Sequence, residues 1–287
     1  MCRVSIQGLT PGQRQTIFQN FQQYVPGPGE TAGGIDLICL AGRLDGPIAL
    51  PPEHFAAGGQ YAPLKRRTSE GIQITGFDFR AQLAGGGAEP LRASLAVAEE
   101  EDLGRPFALE NFLRIVFAYH VLNRGGLLLH SAGVVYRGAA YLFSGRSNAG
   151  KSTLSRKAAA AGAAVLSDDI NLVYREVDGY HVHRVPFTGE FRRPGENSSG
   201  SETFRLGGLA LLEKAPVLTA VPVQSAEGVA GLLTGCPYVN DDPEELPALM
   251  DMLTILVSHV PVIRLGVARD DSFEAIMATL LRCSENA

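Results

Sequence analysis

The clearest periodicity in the chain lies between Leu109 and Asn123, where Phe112, Ile115, Val116, Tyr119 and Leu122 repeat at three- and four-residue steps. That spacing gathers them on one stripe of a helix, and Gly125-Gly126 supplies its stop. Upstream the period shortens. Ile72-Gln73-Ile74-Thr75-Gly76-Phe77 alternates, which predicts a half-buried strand over Ile72 to Phe79. Ile35 to Leu40 and Arg92 to Val97 give two more strands, and Gly and Pro clusters at 26–34, 45–52 and 84–90 punctuate the region. Residues 1–105 read as a β-rich N-terminal region with no chemical motif, and residues 106–287 as a second domain.

In that second part the apolar runs are longer. Leu127-Leu128-Leu129-His130-Ser131 and Gly133-Val134-Val135-Tyr136 lead through Arg137-Gly138 into Ala139-Ala140-Tyr141-Leu142-Phe143-Ser144, a hairpin signal. Thr153 to Ala161 is rich in alanine and stopped by Gly162, which predicts a helix. Ala163 to Ser167 is a short apolar strand. Ile170 to Arg175 and His181 to Val185 predict a hairpin around Asp178-Gly179. Strands follow at Gly208 to Leu212, Val217 to Val223 and Val262 to Val267, with helices at Ala226 to Leu233, Glu244 to Ser258 and Ser272 to Arg282. Asp241-Asp242 reads as a helix-start cap, not a metal site.

Composition narrows the class. The 287 residues are 45% hydrophobic and 19% charged, an ordinary globular balance. A net charge of −5 speaks against a general nucleic-acid binder. Cys2, Cys39, Cys236 and Cys283 form no C-x-x-C pair, so neither a disulfide framework nor a zinc site of cysteines is indicated, and a cytoplasmic location is expected. No apolar signal core follows Met1. The apolar region Leu127 to Phe143 is broken by His130, Arg137 and glycines, too polar for a membrane span.

The chemistry concentrates at Gly145-Arg146-Ser147-Asn148-Ala149-Gly150-Lys151-Ser152, a G-x-x-x-x-G-K-S sequence between a predicted strand and a predicted helix. A loop that wraps phosphates must turn its amides inward, and Gly145 and Gly150 permit that backbone. The following helix adds its unpaired N–H groups and positive dipole end. Lys151 can reach outer phosphate oxygens, and the Ser152 hydroxyl can ligate Mg²⁺. After one helix and one strand comes Asp168-Asp169. A right-handed crossover would set that strand parallel to the first and bring its carboxyl end beside the loop. One carboxylate there can hold Mg²⁺ and the other can accept a proton from an attacking hydroxyl. His130 can project toward the phosphates or serve structure. Arg192, Arg193 and Arg205 can neutralise a phosphoryl group from a lid or sit in solvent.

Three segments together carry a family likeness. Leu129-His130-Ser131-Ala132-Gly133, residues 145–153 ending in Thr153, and Leu166-Ser167-Asp168-Asp169 resemble the catalytic domain of the HPr serine kinase/phosphorylase family and its HPr-kinase-like relatives. The likeness spans about residues 107–282 and includes Pro186-Phe187-Thr188-Gly189-Glu190 and Leu211-Leu212-Glu213-Lys214. It implies an α/β, mixed α+β fold like the nucleotide domain of phosphoenolpyruvate carboxykinase. It implies that residues 145–153 bind the ATP phosphates, that Asp168 is the base and His130 an active-site histidine, and that Ser152, Asp169 and Glu190 surround Mg²⁺. It also implies oligomers. The family often has Gly where Asn148 stands, and Asn tolerates the left-handed backbone best among the other residues. A glycine-rich signature after the acidic pair and a separate N-terminal domain of that family are absent, so the likeness does not extend to HPr as substrate.

The expectation is therefore an ATP- and Mg²⁺-dependent kinase acting on a hydroxyl, a serine of a small protein or peptide, with neither nucleic acid nor membrane as partner. The alternative is a regulator that binds nucleotide without transferring phosphate. A carboxykinase-like enzyme would need an oxyacid pocket and a second metal site, for which no His/Lys/Asp constellation is found. No second ATPase signature supports a motor.

Overall fold

The computed structural model describes residues 4–21, 37–43, 63–76, 79–85, 91–97, 106–185, 187, 189 and 203–285. The chain divides into two compact units, Met1–His120 and Val121–Ala287. Glu190, Arg192 and Arg193 lie outside the described residues.

The first unit is built on a six-stranded mixed sheet. Its strands are β1 (Val4–Gln7), β2 (Leu37–Arg43), β3 (Leu64–Thr68), β4 (Gly71–Thr75), β5 (Phe79–Ala84) and β6 (Leu91–Val97), in the order β1-β2-β6-β5-β4-β3. The sequence pattern implied one strand from Ile72 to Phe79. The chain instead reverses after Thr75, with Gly76 N–H donating to Phe79 O at 2.9 Å, and β4 and β5 pair antiparallel. The alternation misled because apolar residues resume one position later, at Phe77 and Phe79, across a connection too short to read as a break. Ile72, Ile74, Phe79, Ala81, Leu83, Leu91, Ala93, Leu95 and Val97 are buried on one face. Helix α1 (Pro11–Phe21), which the sequence reading missed, has a weak apolar stripe. Helix α2 (Pro106–Leu122) carries the predicted one, and its Phe112 meets Phe79 edge-on at 6.3 Å.

The second unit is an eight-stranded mixed sheet flanked by helices. In chain order come β7 (Gly126–Tyr136), β8 (Ala139–Ser144), α3 (Lys151–Ala160), β9 (Ala164–Ser167), β10 (Ile170–Glu176), β11 (Gly179–His183), β12 (Thr203–Lys214), β13 (Thr219–Pro222), α4 (Ser225–Leu233), α5 (Leu246–His259), β14 (Val262–Val267) and α6 (Phe273–Ser284). The order is β11-β10-β7-β8-β12-β14-β13, with β9 paired to β7. β7 and β8 turn at Arg137 and Gly138, whose φ of 52° and 82° suit a tight hairpin. The first part of β12 pairs back onto β11, so β7, β8, β12, β11 and β10 close a ring of pairings.

Strand alternation sets the layers. Ala210 and Leu212 join a core with Phe143, Leu154 and Ala158 and with Phe273, Ile276 and Met277 of α6. Leu211, between them, points the other way and lies against Gly231 of α4. Helices α3 and α6 thus cover one face and α4 the other, with α5 packed on α4. The molecule is a mixed α+β protein with extensive sheets. Among the described residues no helix is long and apolar enough to cross a membrane.

β9 runs in the direction of β8, as a crossover requires, but the antiparallel β7 lies between them. The length of β7 explains this. It has 11 residues, enough to pair β10 with its first half and both β8 and β9 with its second.

Candidate functional site

The 145–152 loop leaves the end of β8 and enters the first turn of α3. Gly150 precedes the helix at φ 112°, a backbone that favours glycine. Asn148 has φ 65°, the left-handed conformation its residue type tolerates. A Cβ on Gly145 would stand 2.6 Å from Leu212 O, so the loop can lie this close to β12 only with glycine there. No side chain caps α3 at its start.

Lys151 belongs to the loop's interior. Its Nζ donates to Gly145 O at 2.6 Å and to Arg146 O at 3.2 Å, and the residue is 8% exposed. Burial lowers its pKa, and the nearby charge of Asp169 opposes that shift. Arg146, Ser147 and Asn148 are exposed, Ala149 and Ser152 half-buried, and Thr153 exposed. The loop is therefore covered at its root and open at its rim.

The middle of β7 and the ends of the strands beside it bring the other groups in. Ser144 of β8 stands opposite Ser131 of β7, and Ser131 N–H donates to Asp169 O at 3.0 Å. His130 precedes Ser131, and its Nε2 lies 3.6 Å from Asp169 Oδ1. Asp169 thus lies beside His130, and its charge reaches Lys151. Asp168 is more deeply set, at 5% exposure. A Cβ on Gly189 would fall 2.7 Å from Asp168 Oδ1, so this carboxylate lies against the chain that follows Phe187.

Residues that the sequence reading did not single out hold this corner. Ser167 Oγ donates to Phe187 O at 3.0 Å and accepts from Asp169 N–H and Ile170 N–H, both at 3.2 Å. That hydroxyl fixes the bend carrying both aspartates. Asn171, 1% exposed, donates through Nδ2 to Ser131 O at 2.7 Å and Ser131 Oγ at 3.0 Å. His130 N–H donates to Gly235 O at 2.7 Å. A serine just before a carboxylate pair is a turn signal that could have identified Ser167. Nothing local marks Asn171 or Gly235.

Of the expected site residues, the structure brings Lys151, Asp169 and His130 together with the loop, and places Asp168 on the same corner. Glu190 lies outside the described residues. Arg205 takes the second of its two readings, exposed and away from the loop. It pairs with His181 on β11 at the start of β12, roughly 20 Å along the strand from Leu212 beside the loop. Its place in the sequence gave no information about which end of β12 it occupied.

The resemblance to the HPr serine kinase/phosphorylase family is also corrected. It rested on short segments, and a loop shaped by phosphate geometry recurs in unrelated chains, so such segments report chemistry before ancestry. No curated protein matches the chain, and no kinase family does. A family model does match residues 99–242, half of the chain, which contain the loop, His130 and both aspartates, and by that match the chain belongs to the family described as SynChlorMet cassette protein ScmC.

Proposed function

We propose that the protein binds a nucleoside triphosphate, ATP, with Mg²⁺ at the 145–152 loop and transfers its γ-phosphoryl group to a hydroxyl. The observation that carries this reading is the placement of Asp168-Asp169 at a strand end beside the loop, with Asp169 beside His130 and its charge reaching Lys151. A loop that only bound nucleotide would not need a pair of carboxylates there. On this reading the segment is a phosphate-binding P-loop in a nucleotide-binding domain of the carboxykinase type.

The donor set suits Mg²⁺. Ser152 offers a hydroxyl and Asp169 a carboxylate, hard oxygen donors beside phosphate oxygens. When bound, the ion neutralises charge on the phosphate tail. The chain's own groups do the rest. Lys151 exchanges the carbonyls of Gly145 and Arg146 for phosphate oxygens. The amides of the loop and of the first turn of α3 orient the chain of phosphates. Asp168, turned toward the Gly189 side, accepts the proton of the acceptor hydroxyl as its oxygen forms a bond to the γ-phosphorus and the bond to the ADP oxygen breaks. His130 positions Asp169 through their contact.

The first acceptor to test is a serine in a small protein or peptide. Purified protein with Mg-ATP and serine-containing peptides is expected to transfer radiolabelled phosphate, and Asp168→Asn to abolish transfer while leaving ATP binding in place. Tight ATP binding with no transfer to any hydroxyl would instead establish a nucleotide-binding regulator. Absence of ATP binding would remove both readings.

A further inference from the structure

The tip of the β10–β11 hairpin carries a second polar cluster that the phosphate site does not use. His181 stands opposite Tyr174 and His183 opposite Leu172, so both imidazoles share a face with Glu176, because alternate residues of a strand point the same way. Glu176 Oε1 lies 3.0 Å from His183 Nε2, and Glu176 Oε2 lies 3.7 Å from His181 Nδ1. On the other side of the His181 ring, Nε2 is 3.7 Å from Asp178 Oδ2 in the turn. One donor atom each from Glu176, Asp178 and His181 fall within 4.8 Å of one another.

An ordinary ion-pair cluster does not account for two features. The first is that His181 Nδ1 and His183 Nε2, the two nitrogens facing Glu176, are both buried without a hydrogen-bond partner. Native structures rarely leave such atoms unpaired. The second is that His183 Nδ1 lies 3.2 Å from Thr203 Oγ1. With the proton on Nδ1 and donated to that hydroxyl, Nε2 keeps its lone pair toward the carboxylate, the orientation that outer partners impose on metal-binding imidazoles.

We propose that His181 Nδ1, His183 Nε2 and the Glu176 carboxylate bind one divalent transition-metal ion of the zinc class, with Asp178 orienting His181 through its Nε2–H. Donors ~2.1 Å from a tetrahedral ion stand ~3.4 Å apart, between the two spacings observed here. Two imidazoles with a carboxylate select zinc-like ions over Mg²⁺ or Ca²⁺. Arg205 is the cross-strand neighbour of His181. Two carboxylates against that guanidinium leave one net negative charge on this face, which favours a divalent cation. Glu176 is 42% exposed, so solvent reaches the fourth coordination position. The occupied site would clasp β10 to β11 and, through His183 and Thr203, to β12. It lies ~20 Å along β10 from the acidic pair, so it is separate from the phosphate site and does not depend on that reading.

The test titrates zinc sulfate into the full chain, freed of metal by chelation, against a chromophoric chelator, and follows thermal unfolding alongside. One zinc ion per chain is expected, bound at least tenfold more weakly by His181→Ala, His183→Ala and Glu176→Gln, and more weakly by a smaller factor in Asp178→Asn. Zinc should raise the melting temperature of the wild type and not that of Glu176→Gln. Circular dichroism confirms that each variant is folded, and Glu176 and Asp178 sit at an exposed tip where conservative change is tolerated. No zinc binding by the wild type, or equal affinity in the folded variants, overturns the proposal and leaves the cluster as a set of ion pairs.

Discussion

The two ends of β10 are built on opposite principles. At Ile170 the strand emerges from Asp168-Asp169, beside a loop whose contacts are mostly backbone: carbonyls of Gly145 and Arg146 on Lys151, and uncapped amides at the start of α3. At Glu176 the strand enters a cluster made wholly of side chains, in which two imidazoles and two carboxylates meet because of strand register. A backbone site needs glycine and fixed dihedrals, and its residues are contiguous. A side-chain site needs only alternation and pairing, and its residues are spread over the hairpin. On the readings proposed above, hard phosphate and Mg²⁺ chemistry belongs to the first end and softer metal chemistry to the second.

That contrast can be broken in several ways. The largest effect is expected from Lys151→Ala, which removes the one ammonium inside the loop. Phosphate transfer should fall by roughly 10²–10³-fold, the scale of losing a single electrostatic donor in a reacting site, while zinc affinity stays at the wild-type value. A coupled loss, measured by transfer assay and zinc titration on the same preparation, would show that the two ends are not independent. The converse variant, His181→Ala, should lose zinc by at least tenfold and keep ATP affinity within about twofold of wild type.

A middle-sized effect concerns the support of the acidic corner. Asn171→Ala removes the donor to Ser131 O and Oγ and leaves them buried, which should cost about 1–3 kcal/mol in urea unfolding. Gly133→Ala probes the same contact from the other side, since its Cβ would lie 2.3 Å from Asn171 Oδ1. Overpacking of this kind costs about 1–3 kcal/mol. Equal stability of both variants to wild type would mean the Ser131–Asn171 pair does not hold the corner.

The smallest effect is a pH dependence at the hairpin. His183 has its pKa lowered by burial from 6.5. Above 6.5 the folded and unfolded chains both carry it neutral. As pH falls below 6.5 the unfolded chain takes the proton first, so stability is lost until the folded chain's lower pKa is passed. Unfolding midpoints between pH 7 and 5 should show a small acid loss that His183→Gln removes. Saturating zinc should enlarge it, because the metal competes with the proton for Nε2.

Much of the second unit was legible in the sequence. The strand before the loop, the hairpins at Arg137-Gly138 and Asp178-Gly179, and β14 at Val262–Val267 stand where the pattern put them. Local turn chemistry fixes hairpins, and long apolar runs survive small errors in their ends. The first unit was harder, because α1 has almost no apolar stripe and β4 and β5 are separated by only three residues, so two alternations one residue out of step read as a single strand. The loop and the two aspartates could be singled out because each is a contiguous signal. The ancestry inferred from them did not hold, for the same reason that made them visible: a short contiguous signal is easy to find and recurs in chains of different descent.

What the amino-acid order determined by itself is everything set by neighbours: the strand–loop–helix run at 139–160, the glycines its backbone requires, and the face on which His181 and His183 fall. Tertiary structure decided what lies beside what. It inserted β7 between β8 and β9, carried Asp169 to Lys151 and His130, moved Arg205 to the far end of β12, and aimed two imidazole nitrogens at Glu176. The reason is physical. Dihedral preference and turn chemistry act over a few residues, whereas strand pairing joins residues tens of positions apart, and only the buried core of the whole sheet selects among the pairings.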